Sequence, residues 1–257
     1  MSTKKSALKG AIAVMAAGIF GMTAATGAPG WSYGGETGPE NWNELFETCA
    51  AGTEQSPINI ELANAYRASL RNPIFNYDEE GKAFVFNNGH SVELEPVLED
   101  SNSVILNGEK FYLLQAHFHA PAEHLINGKR YAAEVHFVHQ AEDGHLAVIG
   151  VFLKRGKFNA AWRPFTKVVP SATALAEDTE IDIDLESLMP SNLQTARYDG
   201  SLTTPPCTEG VSWNVLVNPV ELSPLQIEQF TRTYYRTFRP VQPVNNRTVT
   251  FDIRSKA

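Results

Sequence analysis

Alternating apolar and polar positions dominate the middle of the chain. Residues 82–86, 91–94, 103–106, 111–119, 132–139 and 145–153 carry β-branched or aromatic side chains at strand spacing. Between them stand Asn87-Asn88-Gly89, Asn107-Gly108 and Asn127-Gly128, residue types that tolerate the positive φ of tight turns. Strands joined by such short turns run antiparallel, so the pattern predicts a mainly antiparallel sheet. Helical spacing is confined to 159–169 and 223–235, the second opening on Ser223-Pro224, an N-cap followed by a first-turn proline. The stretch 31–52 is rich in Gly, Trp and Asn with neither period and reads as an irregular wrap ending near Cys49. The fold class expected is mainly β (mixed α+β), one domain over 28–257, with no internal repeat or linker that calls for a second.

The first residues stand apart from this. Lys4, Lys5 and Lys9 precede an apolar run from Ala11 to about Met22, and Ala24, Ala25, Gly27 and Ala28 follow, the layout of a secretory signal peptide over 1–27. The run is short for a bilayer, and no later segment approaches 18 uncharged apolar residues, so no membrane span is expected after cleavage. Removing 1–27 takes three lysines and leaves 18 basic against 29 acidic residues, a net charge of −11. Such a surface repels phosphate backbones, and nucleic acid is excluded as a partner. Export also puts Cys49 and Cys207, the two cysteines of the chain, in an oxidising compartment where a disulfide persists; two unpaired thiols are the competing state. The arginines Arg232, Arg236 and Arg239 fit a solvated helix face and a buried ion pair, and the acidic stretch 177–186 a solvated loop.

Candidate chemistry sits in two of the strands. Alternation in Gln115-Ala116-His117-Phe118-His119 sends Gln115, His117 and His119 to one face, and in Glu134-Val135-His136 it puts Glu134 and His136 together. If the strands are neighbours, three imidazoles meet at one point and leave a fourth position for water, the ligand count of a catalytic zinc site. Metal-bound histidines give their other ring N–H to a carbonyl or carboxylate, and Gln115 and Glu134 each lie two residues before a ligand on the same face. His124, His139 and His145 carry no such pattern and read as core or surface residues.

These residues, with Gly38-Pro39-Glu40-Asn41-Trp42, Gln55-Ser56-Pro57-Ile58-Asn59-Ile60, Asn87-Asn88-Gly89-His90, Tyr131-Ala132-Ala133, the run 146–152 and Gly200-Ser201-Leu202-Thr203-Thr204-Pro205-Pro206-Cys207, resemble the α-class carbonic anhydrases of secreted bacterial type. The likeness runs from Trp31 to about Ile253. It implies a large twisted, mostly antiparallel central sheet with a few peripheral helices. It also implies zinc (Zn2+) as cofactor, and carbon dioxide and bicarbonate as substrate and product.

By the same resemblance His117, His119 and His136 hold the zinc, and Gln115 and Glu134 orient them. Thr203 accepts from the zinc-bound hydroxide while donating to Glu123, since a hydroxyl whose proton is committed to a carboxylate has only lone pairs left to offer. Val138, Val148, Leu202, Thr204 and Trp213 line the substrate pocket. His90 shuttles protons, and Tyr33, Asn88 and Glu93 line the solvent network, Glu93 standing where an amide is expected and Ala122 being a further small departure. Zinc lowers the pKa of bound water to about 7, a value known for this family and not read from these residues. Activated esters are expected as side substrates, a homodimer as the assembly, and the periplasm or the exterior as the location. Two other classes remain: a related binding domain without metal, which replaces ligand histidines, and an exported zinc protease, which carries a His-Glu-x-x-His helix absent here.

Overall fold

Strand-forming runs become strands close to where the alternation puts them, in a computed structural model that describes residues 30–169 and 179–254. The segment 1–27 and part of the acidic stretch lie outside the described residues. The chain from Trp31 onward is one compact unit. Its strands are β1 (Asn59–Ile60), β2 (Tyr66–Ala68), β3 (Ile74–Asn76), β4 (Lys82–Asn87), β5 (Val92–Pro96), β6 (Ser103–Leu106), β7 (Glu109–His119), β8 (Leu125–Ile126), β9 (Ala133–Gln140), β10 (Leu146–Arg155), β11 (Thr179–Asp182), β12 (Thr195–Ser201), β13 (Glu209–Leu222) and β14 (Thr250–Asp252). Twelve of them form one sheet in the order β11-β4-β5-β7-β9-β10-β13-β12-β14-β2, with β3 and β6 joined to the first half of β7. The pairings are antiparallel except β10 with β13 and β14 with β2. β1 and β8 make a separate parallel pair.

The asparagine-glycine turns behave as their residues dictate. Asn107 and Gly108 have φ of 54° and 98°, Asn127 and Gly128 have 50° and 76°, the double positive φ that matches the twist of flanking strands. Among the described residues four short α-helices flank the sheet: α1 (Trp42–Leu45), α2 (Glu47–Ala51), α3 (Arg163–Val168) and α4 (Pro224–Thr233). In α4 the Ser223 side chain accepts from the Gln226 backbone while Gln226 reaches back to the Ser223 N–H, a reciprocal cap that fixes the start. The helical reading of 159–169 shrinks to α3, because the Asn159 side chain takes the Ala161 N–H at 3.1 Å and makes a turn of its first residues. The wrap 31–52 is less irregular than expected, holding α1, α2 and a 3-10 turn at Gly35–Thr37.

Strand β9 lies at the centre, buried from Ala133 to His139. Val135 and Phe137 pack into the apolar cluster on one side of the sheet, Val138 into the cluster on the other. Both clusters are closed off from water, so the polar groups that interrupt them must be paired. Cys49 and Cys207 form a disulfide across 158 residues of sequence, packed with the fully buried Trp42. Arg232 pairs with Glu228 on the surface of α4, as a solvated face requires. Arg239 is buried, but not as the ion pair expected: its guanidinium donates to Gln55 Oε1, Ser56 O and Cys49 O. Among the described residues no helix is long and apolar enough to cross a membrane.

Candidate metal centre

Register decides whether the three histidines meet. β7 and β9 are antiparallel neighbours, and His117 stands directly opposite His136. His119 follows on the same face of β7. The ring centroids are 4.6 to 5.3 Å apart, and one nitrogen from each ring lies within 4.8 Å of the others.

Each ring is held by its other nitrogen. His117 Nδ1 is 2.8 Å from Gln115 Oε1, an acceptor, so the proton sits on Nδ1. His119 Nδ1 is 2.6 Å from the Thr237 carbonyl, which can only accept. Its Nε2 is buried with a lone pair that has no hydrogen-bond partner among the described residues. His136 Nε2 faces Glu134 Oε1 at 3.0 Å, an ion-pair distance outside hydrogen-bond geometry, which leaves Nδ1 for a metal. Burial first, and the neighbouring imidazoles after it, hold the pKa of His117 well below the usual histidine range; burial lowers His136 and takes His119 to about 4. Three neutral imidazoles with their tautomers fixed and lone pairs converging are the donor set that fits zinc.

Glu134 is the hub of this arrangement. Its Oε2 accepts from the backbone N–H groups of Glu123 and His124 at 2.9 and 2.8 Å, and its Oε1 pairs with His124 Nδ1 at 2.7 Å. Burial would raise its pKa, yet the His124 and His136 rings and these bonds hold it well below the usual carboxylate range. His124 continues the chain through Nε2 to the Tyr198 hydroxyl at 2.6 Å, and Tyr198 to Ser56 at 2.9 Å. Space for that last contact comes from Gly200, where a Cβ would come 2.3 Å from Ser56 Oγ. His124 is therefore the satisfied core histidine expected, and it also braces the carboxylate beside His136. His139 is buried on the opposite face against the Tyr77 hydroxyl at 2.7 Å, and His145 sits at the surface 2.9 Å from Asp143.

Around the cluster the remaining candidates fall into three groups. Thr203 and Thr204 are buried in the loop between β12 and β13, which the disulfide ties down at Cys207; the Cys207 N–H bonds Thr204 O at 2.9 Å. The Glu123 carboxylate accepts from the Arg239 N–H at 2.7 Å on Oε1, and Thr203 stands near enough to draw its pKa down, while Oε2 is buried without a hydrogen-bond partner among the described residues. Burial raises Glu123 to about 7 against these partners, and its Oε2 stands 3.5 Å from His119 Nε2. A dication among the rings would draw that value down.

Val138, Val148 and Trp213 form a cross-strand row on β9, β10 and β13, all buried, with Leu202 packed against the same cluster. The Trp213 ring stands edge-on to His136 at 4.8 Å, so the apolar row abuts the imidazoles.

Tyr33 packs edge-on to His119 at 6.4 Å. His90 is half-buried at the β4–β5 turn, its ring stacked on Trp31 at 3.8 Å, and burial lowers its pKa. Glu93 is buried opposite His117 on β5 and accepts from Asn88 Nδ2 at 2.7 Å; burial raises it to about 7. Sequence reading missed Thr237 and Arg239, whose contributions here are backbone groups that no residue pattern announces.

The chain has known relatives. The family model for eukaryotic-type carbonic anhydrase matches residues 37–253. A carbonic anhydrase of Pectobacterium atrosepticum is 37% identical over 94% of this chain and 98% of its own length. Among solved structures, an α-carbonic anhydrase from Thermovibrio ammonificans in complex with the inhibitor sulfanilamide is 42% identical with a TM-score of 0.81, covering 87% of this chain and all of that one. Dioscorin complexed with ascorbate shares the fold at 30% identity and a TM-score of 0.81, covering 89% of this chain and all of that one.

Proposed function

The chain belongs to the eukaryotic-type, or α-class, carbonic anhydrase family and is a carbonic anhydrase, and from that premise we propose that His117, His119 and His136 hold a zinc ion that serves the reversible hydration of carbon dioxide. The observation that carries the reading is the convergence of three buried imidazoles whose other nitrogens are already committed to Gln115, Thr237 O and Glu134. When bound, zinc supplies Lewis acidity that brings the deprotonation of a water molecule close to neutral pH.

The protein's own groups do the rest. Thr203 gives its proton to the nearby Glu123 carboxylate, which leaves it only lone pairs to turn toward the pocket, so it accepts from an oxygen nucleophile beside it and orients its attack. Carbon dioxide has no charge to grip, and the dry row of Val138, Val148 and Trp213, with Leu202 and Thr204 at its edge, is a suitable receptor for it. His90 takes the released proton toward solvent, with Tyr33 beside its path. Activated esters react at the same site. Residues 1–27 direct export to the periplasm or the exterior, where the Cys49–Cys207 disulfide persists, and the exported chain pairs as a homodimer.

One purified sample tests the core of this. Elemental analysis should give one zinc per chain, and stopped-flow should show carbon dioxide hydration that a chelator removes and zinc restores. Hydration that persists at full rate without metal would end the proposal.

A further inference from the structure

Resting on the reading of His90 as the proton carrier, we propose that Glu93 is a positioning residue that holds the His90 turn through Asn88. The turn is short. Asn88 N–H donates to Ser91 O at 3.1 Å, and Gly89 takes φ of +92° at the first central position of a two-residue hairpin connection. Nothing lies within 4 Å of where a Gly89 Cβ would be, so Gly89 itself stands in open space, and the packing at the tip is the His90 ring on Trp31.

Asn87 Oδ1 accepts from the Gly89 N–H at 2.8 Å and Ser91 Oγ donates to Phe118 O at 2.8 Å, and the backbone of His90 itself is held by the Asn88 side chain. Its Oδ1 accepts from the backbone N–H groups of His90 at 2.9 Å and Ser91 at 2.8 Å, leaving the amide nitrogen to point inward. That nitrogen donates to Glu93 Oε2 at 2.7 Å. The two backbone groups only donate, so the Asn88 oxygen must face them and its NH2 must turn to Glu93 Oε2, which accepts. Glu93 is 2% exposed and stands on β5 directly opposite His117 on β7. A continuous set of contacts thus runs from the strand of the metal cluster to the backbone of His90. Attack on carbon dioxide uses none of it. Proton removal does, because His90 must return to one place in each turnover.

Steady-state hydration of the zinc-loaded protein is the test. Glu93→Ala should keep its zinc and hold kcat/KM within about twofold while kcat falls about threefold to tenfold, part of the roughly 100-fold or more that a proton-transfer group contributes. Added imidazole should restore kcat, and Glu93→Gln, whose amide oxygen still accepts from Asn88, should stay within about twofold of wild type throughout. Should Glu93→Ala fail to fold, Asn88→Ala carries the same expectation. An unchanged kcat in Glu93→Ala alongside a lowered kcat in His90→Ala would overturn the clamp, as would an equal loss in Glu93→Gln. If His90→Ala itself leaves kcat intact, the shuttle reading fails, and amide exchange still judges the clamp. Faster exchange at His90 and Ser91 in Glu93→Ala but not in Glu93→Gln supports it, and unchanged exchange refutes it.

Discussion

Replacing Glu134 by glutamine changes one atom and should cost as much metal affinity as removing the side chain. The carboxylate accepts three hydrogen bonds, from the Glu123 and His124 N–H groups on Oε2 and from His124 Nδ1 on Oε1, and His136 Nε2 stands beside Oε1 at an ion-pair distance of 3.0 Å. An amide has one oxygen. The two backbone N–H groups cannot turn away, so that oxygen stays on their side and the NH2 takes the place of Oε1, facing two ring nitrogens. His124 can answer with a lone pair, because its Nε2 can then donate to the Tyr198 hydroxyl. His136 can answer only by moving its proton to Nδ1, the nitrogen left for a metal. Holding the metal-binding tautomer instead leaves a buried donor facing a donor, at about 1–3 kcal/mol, or about 5- to 150-fold in affinity. We expect Glu134→Ala to bind zinc about 10- to 100-fold more weakly, as for a lost partner of a ligand, and Glu134→Gln to be no milder despite its matching shape. Chelator competition with the apoprotein measures both, with circular dichroism to verify the fold. A Glu134→Gln affinity within about threefold of wild type, roughly 0.7 kcal/mol, would refute the tautomer argument.

Three further outcomes follow from the same contacts. Thr203→Val should keep zinc while losing most of kcat/KM for hydration, and a loss of less than about threefold would remove Thr203 from its orienting role. Reduction of the Cys49–Cys207 disulfide, which closes a 158-residue separation, should lower stability by about 2–5 kcal/mol in denaturant unfolding; an unchanged midpoint would show that the bridge does not matter. His139, taken to about 3 by burial, stays neutral in the folded protein while the unfolded chain protonates near 6.5. Its contribution is therefore complete above about pH 6.5 and lost as pH falls, by about 2 kcal/mol at pH 5, so His139→Gln should shrink the loss between pH 7 and 5 by about that amount. An equal loss in both proteins would contradict it.

How much of this the sequence disclosed depends on what carried each feature. The ligand trio was legible because alternation fixes which residues share a face, and Gln115 and Glu134 lie on the strands they serve. The neighbour relation of β7 and β9 was not fixed by that pattern, and without the exact opposition of His117 and His136 the trio would not close. The second anchor of His119 was invisible, since the Thr237 carbonyl lies 118 positions away and any residue has one. Strand β13 escaped for a different reason. It holds Gly210, Asn214, Asn218 and Pro219, which read as turn signals, yet Pro219 falls where the register against β10 slips between Val151 and Leu153, a place where a missing N–H costs no ladder bond. His124 looked like any lone histidine because its partner Glu134 is on another element. The expected ion pair of Arg239 failed because backbone carbonyls and Gln55 were nearer than any carboxylate side chain.

The claim on which all else rests is that three imidazoles, and nothing else from the protein, hold the zinc. X-ray absorption at the zinc edge on the loaded protein, with His117→Ala beside it, tests that directly. The account predicts three nitrogen neighbours at about 2.0–2.1 Å and one light-atom neighbour from solvent in the wild type, and no stoichiometric zinc in His117→Ala. A sulfur or a fourth protein ligand in the wild type, or the same zinc signal in His117→Ala, would contradict it.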